Sequence, residues 1–402
     1  MLRIFSAFLI FFCTIGIFPV FADENPPLFL FYASGGYLEE KGNLISGNLQ
    51  AILDGSSDEF SLLIAYGGID RWKGIRYVTR SMLLDDSRNG IFGDDTKTLF
   101  LNEAVSMGDP TTLSSFLRYA HTFYPDDRLW LILIGHADAY EGVLLDENHG
   151  NDMLSTSELG VALAESGTNI ELIGIDACFM ATLEVAAEVD GYASWMIASQ
   201  ETEPGMGWDY QTWLRDLIAL EEIQLPDAAF SLLQAHMDQK EPGKTLSLLH
   251  LDETASVSRS LGELARALTI LLHTPRGAQY IEAALLDTQH FGLTDTMERV
   301  PVTLDILSFT ESISKTIPCL SSLAKATEEA ADKMIVRSRH DATVPDAHGI
   351  SLISPLLMTS DIYSIYAKQN AVHRDWNIFL QHYAKKHPAL ALLPMRFNSN
   401  LV

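Results

Sequence analysis

Leu129–Tyr140 reads LWLILIGHADAY, and Asn169–Ala186 reads NIELIGIDACFMATLEVA. Leu129–Ile134 is an unbroken apolar run, the pattern of a strand buried on both faces, and it stops at Gly135-His136. Ile170–Ile175, apolar but for one Glu, is a second such run and stops at Asp176-Ala177-Cys178. Between them Ser155-Thr156-Ser157-Glu158 forms a capping box, and Leu159, Ala162 and Leu163 fall on one helical face. The whole is a β-α-β unit. Such crossovers are almost always right-handed and leave their strands parallel. His136 and Cys178 therefore come together at the carboxyl ends of neighbouring strands, where open α/β sheets place their sites. An imidazole beside a thiol is a nucleophile–base pair. A helix is expected to begin at or just beyond Cys178, with its N-terminal dipole favouring thiolate.

Working outward, the first residues set the compartment. Met1-Leu2-Arg3 precedes the apolar stretch Ile4–Phe18, and Val20-Phe21-Ala22 supplies small residues for cleavage. This pattern is a secretory signal peptide over residues 1–22, with an uncleaved anchor as the alternative. No other run is long and apolar enough to span a membrane. The mature chain is expected outside the cytoplasm, periplasmic or extracellular, without stable membrane insertion and as a monomer. The 402 residues carry a formal charge of −26, which argues against nucleic acid as a partner. Such charge favours approach of basic substrates, or serves only the solubility of an exported protein. Of the three cysteines, Cys13 falls in the signal peptide, leaving Cys178 and Cys319 without a disulfide framework.

Along the chain, Leu28–Ala33, Phe60–Tyr66, Ile75–Thr79, Thr98–Leu101 and Ser194–Ala198 read as further strands. Asp109-Pro110 opens a helix, Asp as N-cap and Pro in the first turn, with Leu113, Phe116, Leu117 and Ala120 at helical spacing. Leu44–Leu53 and Trp208–Ala219 are expected helices. Beyond roughly residue 245 helical pattern dominates at Val257–Leu272, Ala278–Leu286, Leu320–Met334 and Trp376–Tyr383, with one strand at Gly349–Ser354. The expected fold class is α/β, a three-layer sandwich around a mostly parallel sheet. Its organisation is a signal peptide over 1–22, a catalytic domain over 23–244, and a mainly helical region over 245–402 that can pack on the same sheet.

Four segments give the chain a family resemblance. They are Met107-Gly108-Asp109-Pro110 with Leu113 and Phe116; Tyr124-Pro125 with Asp127; Gly174–Met180 with Glu184-Val185-Ala186; and Ala198–Gly205 with Gly207-Trp208 and Tyr210. In order and combination they resemble the clostripain-like cysteine peptidases of the caspase–gingipain–legumain group. The resemblance implies a caspase-like fold and an exported cysteine endopeptidase acting on peptide or protein substrates. It departs from the family in three places. Ala137 stands where Gly usually follows the histidine, Met206 stands where Asp is often found, and no Lys or Arg lies between Leu129 and Leu214 for basic-directed self-cleavage.

The roles follow from the resemblance. Cys178 is the nucleophile and His136 the general base, and the N–H groups of Ala137 and Cys178 form an oxyanion hole. Asp176 lines the pocket for the P1 side chain or merely caps a helix. Ser199 and Gln200 bond substrate backbone or are an ordinary strand end. With Met206 in place of an acid, a preference for basic P1 is expected to be weakened, unless Glu201, Glu203 or Asp209 supplies the carboxylate. His121, His149 and Cys319 lack metal-ligand spacing and no metal site is expected. No cofactor is required; calcium, which some relatives need, is the one candidate, at Asp138, Glu141, Asp146, Glu147 and Asp152. These acids lack an EF-hand pattern, and a solvated loop explains them as well. The rival from another class is a non-catalytic binding protein on the same fold, and transpeptidation is not separable from hydrolysis by sequence.

Overall fold

The computed structural model describes residues 26–87, 98–102, 105–125, 128–292, 301–369 and 373–386. The expected signal peptide and Asp127 lie outside the described residues. Nine strands form one sheet: β1 (Leu28–Ser34), β2 (Ser61–Gly67), β3 (Ile75–Thr79), β4 (Phe100–Asn102), β5 (Leu129–Ile134), β6 (Ile170–Asp176), β7 (Ala193–Ala198), β8 (Thr245–His250) and β9 (Ile335–His340). Their spatial order is β9-β8-β7-β6-β5-β1-β2-β3-β4. The five central strands, β7 to β2, run parallel. Both margins are antiparallel.

The central strands are long apolar runs because helices cover both faces. All six residues of β5 and all seven of β1 are buried. On one face pack α2 (Pro110–Phe123), α3 (Thr156–Ser166), α4 (Leu183–Val189), α7 (Thr254–Leu272) and α8 (Arg374–Lys386). On the other pack α1 (Leu44–Gly55), α5 (Tyr210–Ile218) and α6 (Asp227–Asp238). The second face is rich in aromatic pairs. Phe29 meets Trp130 edge-on at 5.3 Å between centroids, and Phe31 meets Tyr210 at 5.7 Å. These contacts seat the start of α5 against the middle of the sheet.

The caps behave as the sequence predicts. Asp109 accepts from Thr111 N at the start of α2, and the reciprocal Ser155–Glu158 box opens α3. One expectation fails. No helix starts at Cys178; α4 begins at Leu183, capped by the Thr182 hydroxyl. Phe179 takes a left-handed conformation, φ 63°. That breaks a helix at once, because for a bulky side chain it is a strained conformation. Residues after 244 contribute β8 and β9 to the same sheet. Among the described residues no helix is long and apolar enough to cross a membrane.

Candidate active site

Strand register builds the site. Ile134 of β5 pairs with Asp176 of β6, and the Gly135 N–H donates to the Asp176 carbonyl at 3.3 Å. His136 and Cys178 each lie two residues beyond that pair, on strands about 4.8 Å apart. His136 is half-buried. Its carbonyl accepts from Leu144 N at 2.8 Å, fixing it at the root of a small hairpin formed by Ala137–Asp138 and Gly142–Asp146. The Tyr37 ring, at the N-terminus of the short helix Gly36–Gly42, stands 6.4 Å from the imidazole. Its backbone N–H is held by Glu147 Oε2 at 3.0 Å. Burial pushes the His136 imidazole below its ordinary range, so it is neutral at pH 7.

The Cys178 sulfur accepts the backbone N–H of Glu203 at 3.3 Å. Burial pushes the thiol up to about 12; the carboxylates of Glu203, Glu201 and Asp176 add to the shift and the Glu203 N–H opposes it. The helix-dipole assistance expected from sequence is absent, since α4 starts five residues on. Ala137 lies in strand conformation, where a Cβ is no obstacle.

Asp176 is buried beneath the loop after β7. Its Oδ2 accepts from Trp208 N at 3.0 Å and from the Tyr210 hydroxyl at 2.6 Å. Burial raises its carboxyl to about 6, against those two hydrogen bonds. The loop can approach this closely because residue 207 is glycine. A Cβ there would come within 2.5 Å of Asp176 Oδ2, and its φ of +65° also favours glycine. The Asn48 side chain of α1 faces the same spot. Nothing in the sequence singled out Asn48; only the packing of α1 against α5 brings it there.

Met206 is 52% exposed and lies over Gly47 of α1. Ser199 and Gln200 reach the strand end but turn inward. The Ser199 hydroxyl bonds Glu201 O and the Thr245 hydroxyl. Gln200 is fully buried, giving Nε2 to Asp305 and Ser351 and taking Gly349 N on Oε1. Both side chains are thus committed within the protein. Of the three acids named as alternative partners for a basic side chain, Asp209 caps α5 and Glu201 accepts from Gly292 N. Only Glu203 is buried beside Asp176.

Asp138, two residues past the histidine, has a buried Oδ1 without a hydrogen-bond partner, and burial raises its carboxyl to about 7. Asp146 accepts from Met107 N and Asn148 N and pairs with His149. Among the described residues no group of three His, Cys, Asp or Glu side chains is placed to hold a metal ion.

A profile of the clostripain family, Peptidase_C11, matches residues 40–383, most of the chain. The chain belongs to the clostripain family. Clostripain of Hathewaya histolytica is 30% identical over 125 residues, which is 26% of this chain and 24% of that protein. That stretch thus spans about a quarter of the curated relative's length. A secreted C11 cysteine protease from Bacteroides thetaiotaomicron, solved with an irreversible peptide inhibitor, superposes with a TM-score of 0.64 at 13% identity, covering 88% of this chain and 98% of that one. An inactive zymogen C11 protease from Parabacteroides distasonis gives 0.61 at 17% identity, covering 87% and 97%. The fold of this family member is accordingly caspase-like: a mostly parallel sheet between helical layers.

Proposed function

We propose that this clostripain-family member is an exported cysteine endopeptidase that works through a His136/Cys178 dyad. The observation that supports it most is the register: both residues follow the Ile134–Asp176 pair by two positions on adjacent parallel strands. Cys178 gives its proton to His136 and attacks the scissile carbonyl, forming the C–S bond. The N–H groups of Ala137 and Cys178 receive the oxyanion, an interaction worth about 3 kcal/mol. His136 then protonates the leaving amine and takes a proton from the water that releases the acyl group. The acidic floor at Asp176, with Asn48 and Met206 around it, favours a basic P1 residue. The exposed methionine in place of a second acid weakens that preference by one charge-assisted bond, about 1.5–3 kcal/mol.

A thiol-reactive peptidyl probe should label wild type and fail on Cys178→Ala. Peptide turnover should disappear in Cys178→Ala and His136→Ala, with melting temperatures preserved. A P1-scanning library should favour Arg or Lys, and more strongly in Met206→Asp. Labelling or turnover that persists in Cys178→Ala would remove the dyad. Absence of both from wild type would leave a non-catalytic binding protein.

A further inference from the structure

We infer that Glu203 is a positioning residue for the nucleophile: its buried side chain anchors the loop after β7 so that its own backbone N–H points at the Cys178 sulfur. Three contacts converge on this residue. The N–H donates to Cys178 Sγ at 3.3 Å. Oε1 accepts from Trp208 Nε1 at 3.3 Å. Oε2 stands 3.4 Å from His236 Nε2 of α6, and the Glu203 side chain is only 4% exposed. Trp208 and His236 are themselves buried. A loop amide is held by the residue that carries it, and here that residue is bonded to Trp208 through Oε1 and packed against His236 through Oε2.

Burial and Asp176 of β6 both raise the Glu203 carboxyl, while Trp208, Ser199 just beyond β7, and Lys244 oppose them. Lys244 spends its ammonium on the carbonyls of Met237 and Gln239. Burial and Lys244 lower His236 to about 4, against Gln239, Asp209 and Asp341, and keep it uncharged. Tyr210 of α5 completes the surroundings and is neutral as well. Glu203 Oε2 and His236 Nε2 are both buried, and neither has a hydrogen-bond partner. Burial and the carboxylates of Glu203, Glu201 and Asp176 raise the Cys178 thiol. The Glu203 N–H is then the group that favours thiolate against those neighbours, so its placement sets how readily the sulfur ionises.

The proposal rests on Cys178 being the nucleophile, which the peptidyl probe tests by itself. The separate measurement is the rate of iodoacetamide alkylation of Cys178 against pH, read by peptide mass spectrometry in a Cys319→Ser background because Cys319 is exposed. Glu203→Leu keeps the buried volume but loses the bond to Trp208, and should slow alkylation at pH 8 about tenfold, the loss of one hydrogen bond to a charged acceptor. Glu203→Gln keeps length and acceptor, and should stay within about twofold of wild type. Melting curves identify any variant that fails to fold, and Glu203→Met then replaces Glu203→Leu. Wild-type alkylation in both variants would overturn the proposal, as would faster alkylation in either, which would mean that Glu203 acts by negative charge. A Glu203→Gln rate as low as that of Glu203→Leu would also overturn it.

Discussion

At Cys178 burial and nearby carboxylates raise the thiol, and at His136 burial lowers the imidazole. The resting pair is therefore thiol and neutral imidazole rather than thiolate and imidazolium. This bears on the acid side of the pH profile. A base whose affinity for protons is reduced stays unprotonated below its ordinary value of about 6.5. The acid limb of kcat/KM is expected to fall below pH 6.5, measured with a peptide that carries no titrating group near that pH. A limb at or above 6.5 would show that His136 is stabilised as a cation. The placement of His136 and Cys178 at neighbouring strand ends was legible in the sequence because apolar runs end in Gly-His and in Asp-Ala-Cys. The protonation state was not legible. It depends on Phe179, whose left-handed backbone delays the helix to Leu183, and on Glu203, which in sequence is one of three similar acids.

The elements nearest the site were the most readable. β5, α3 and β6 carry continuous apolar runs and a capping box, signals that do not depend on distant contacts. The sheet margins were not readable. β9 is IVRSRH with four of its six residues exposed, and its strand character comes from pairing with β8 rather than from its own composition. The hairpin that anchors His136 was hidden for the same reason: its strand Ala137–Asp138 is two residues long. The crossover between the dyad residues has a consequence for maturation. Leu129 to Leu214 contains no Lys or Arg, and Arg128 at its border is tied to Glu171 and to Ile223 O. The active chain should remain uncut between these points when incubated at working temperature, as intact-mass analysis will show. A cut in this span that is missing from Cys178→Ala would establish self-processing with a specificity other than basic.

Across the whole molecule, an acidic chain of formal charge −26 has buried several carboxyls in its interior. Burial pushes Asp138 and Glu184 up to about 7, Asp176 to about 6, and Glu203 well above its ordinary value. Glu184 illustrates the cause. It sits in the core with Oε1 taking Ile353 N and the Tyr366 hydroxyl, while Oε2 has no hydrogen-bond partner. A group whose folded pKa lies above its unfolded value stabilises most below the unfolded value, and that contribution is lost as pH rises through the folded value. The buried histidines have the opposite sign. His236 and His373, lowered to about 4, add stability above about 6.5 and lose it as pH falls. Between about 4 and 6.5 the two sets oppose each other. Above 6.5 the contribution of these two histidines is complete, the carboxyls still titrate through the values near 7, and His348, raised by its bond to Asp305, loses its contribution in the same direction. The melting temperature of Cys178→Ala, used to prevent autolysis, should therefore fall between pH 6.5 and 8. Glu184→Gln in that background should flatten the fall, because an amide supplies the same acceptor without ionising. A melting temperature that rises over this interval would show that these carboxyls are already ionised in the folded protein and are balanced by cations.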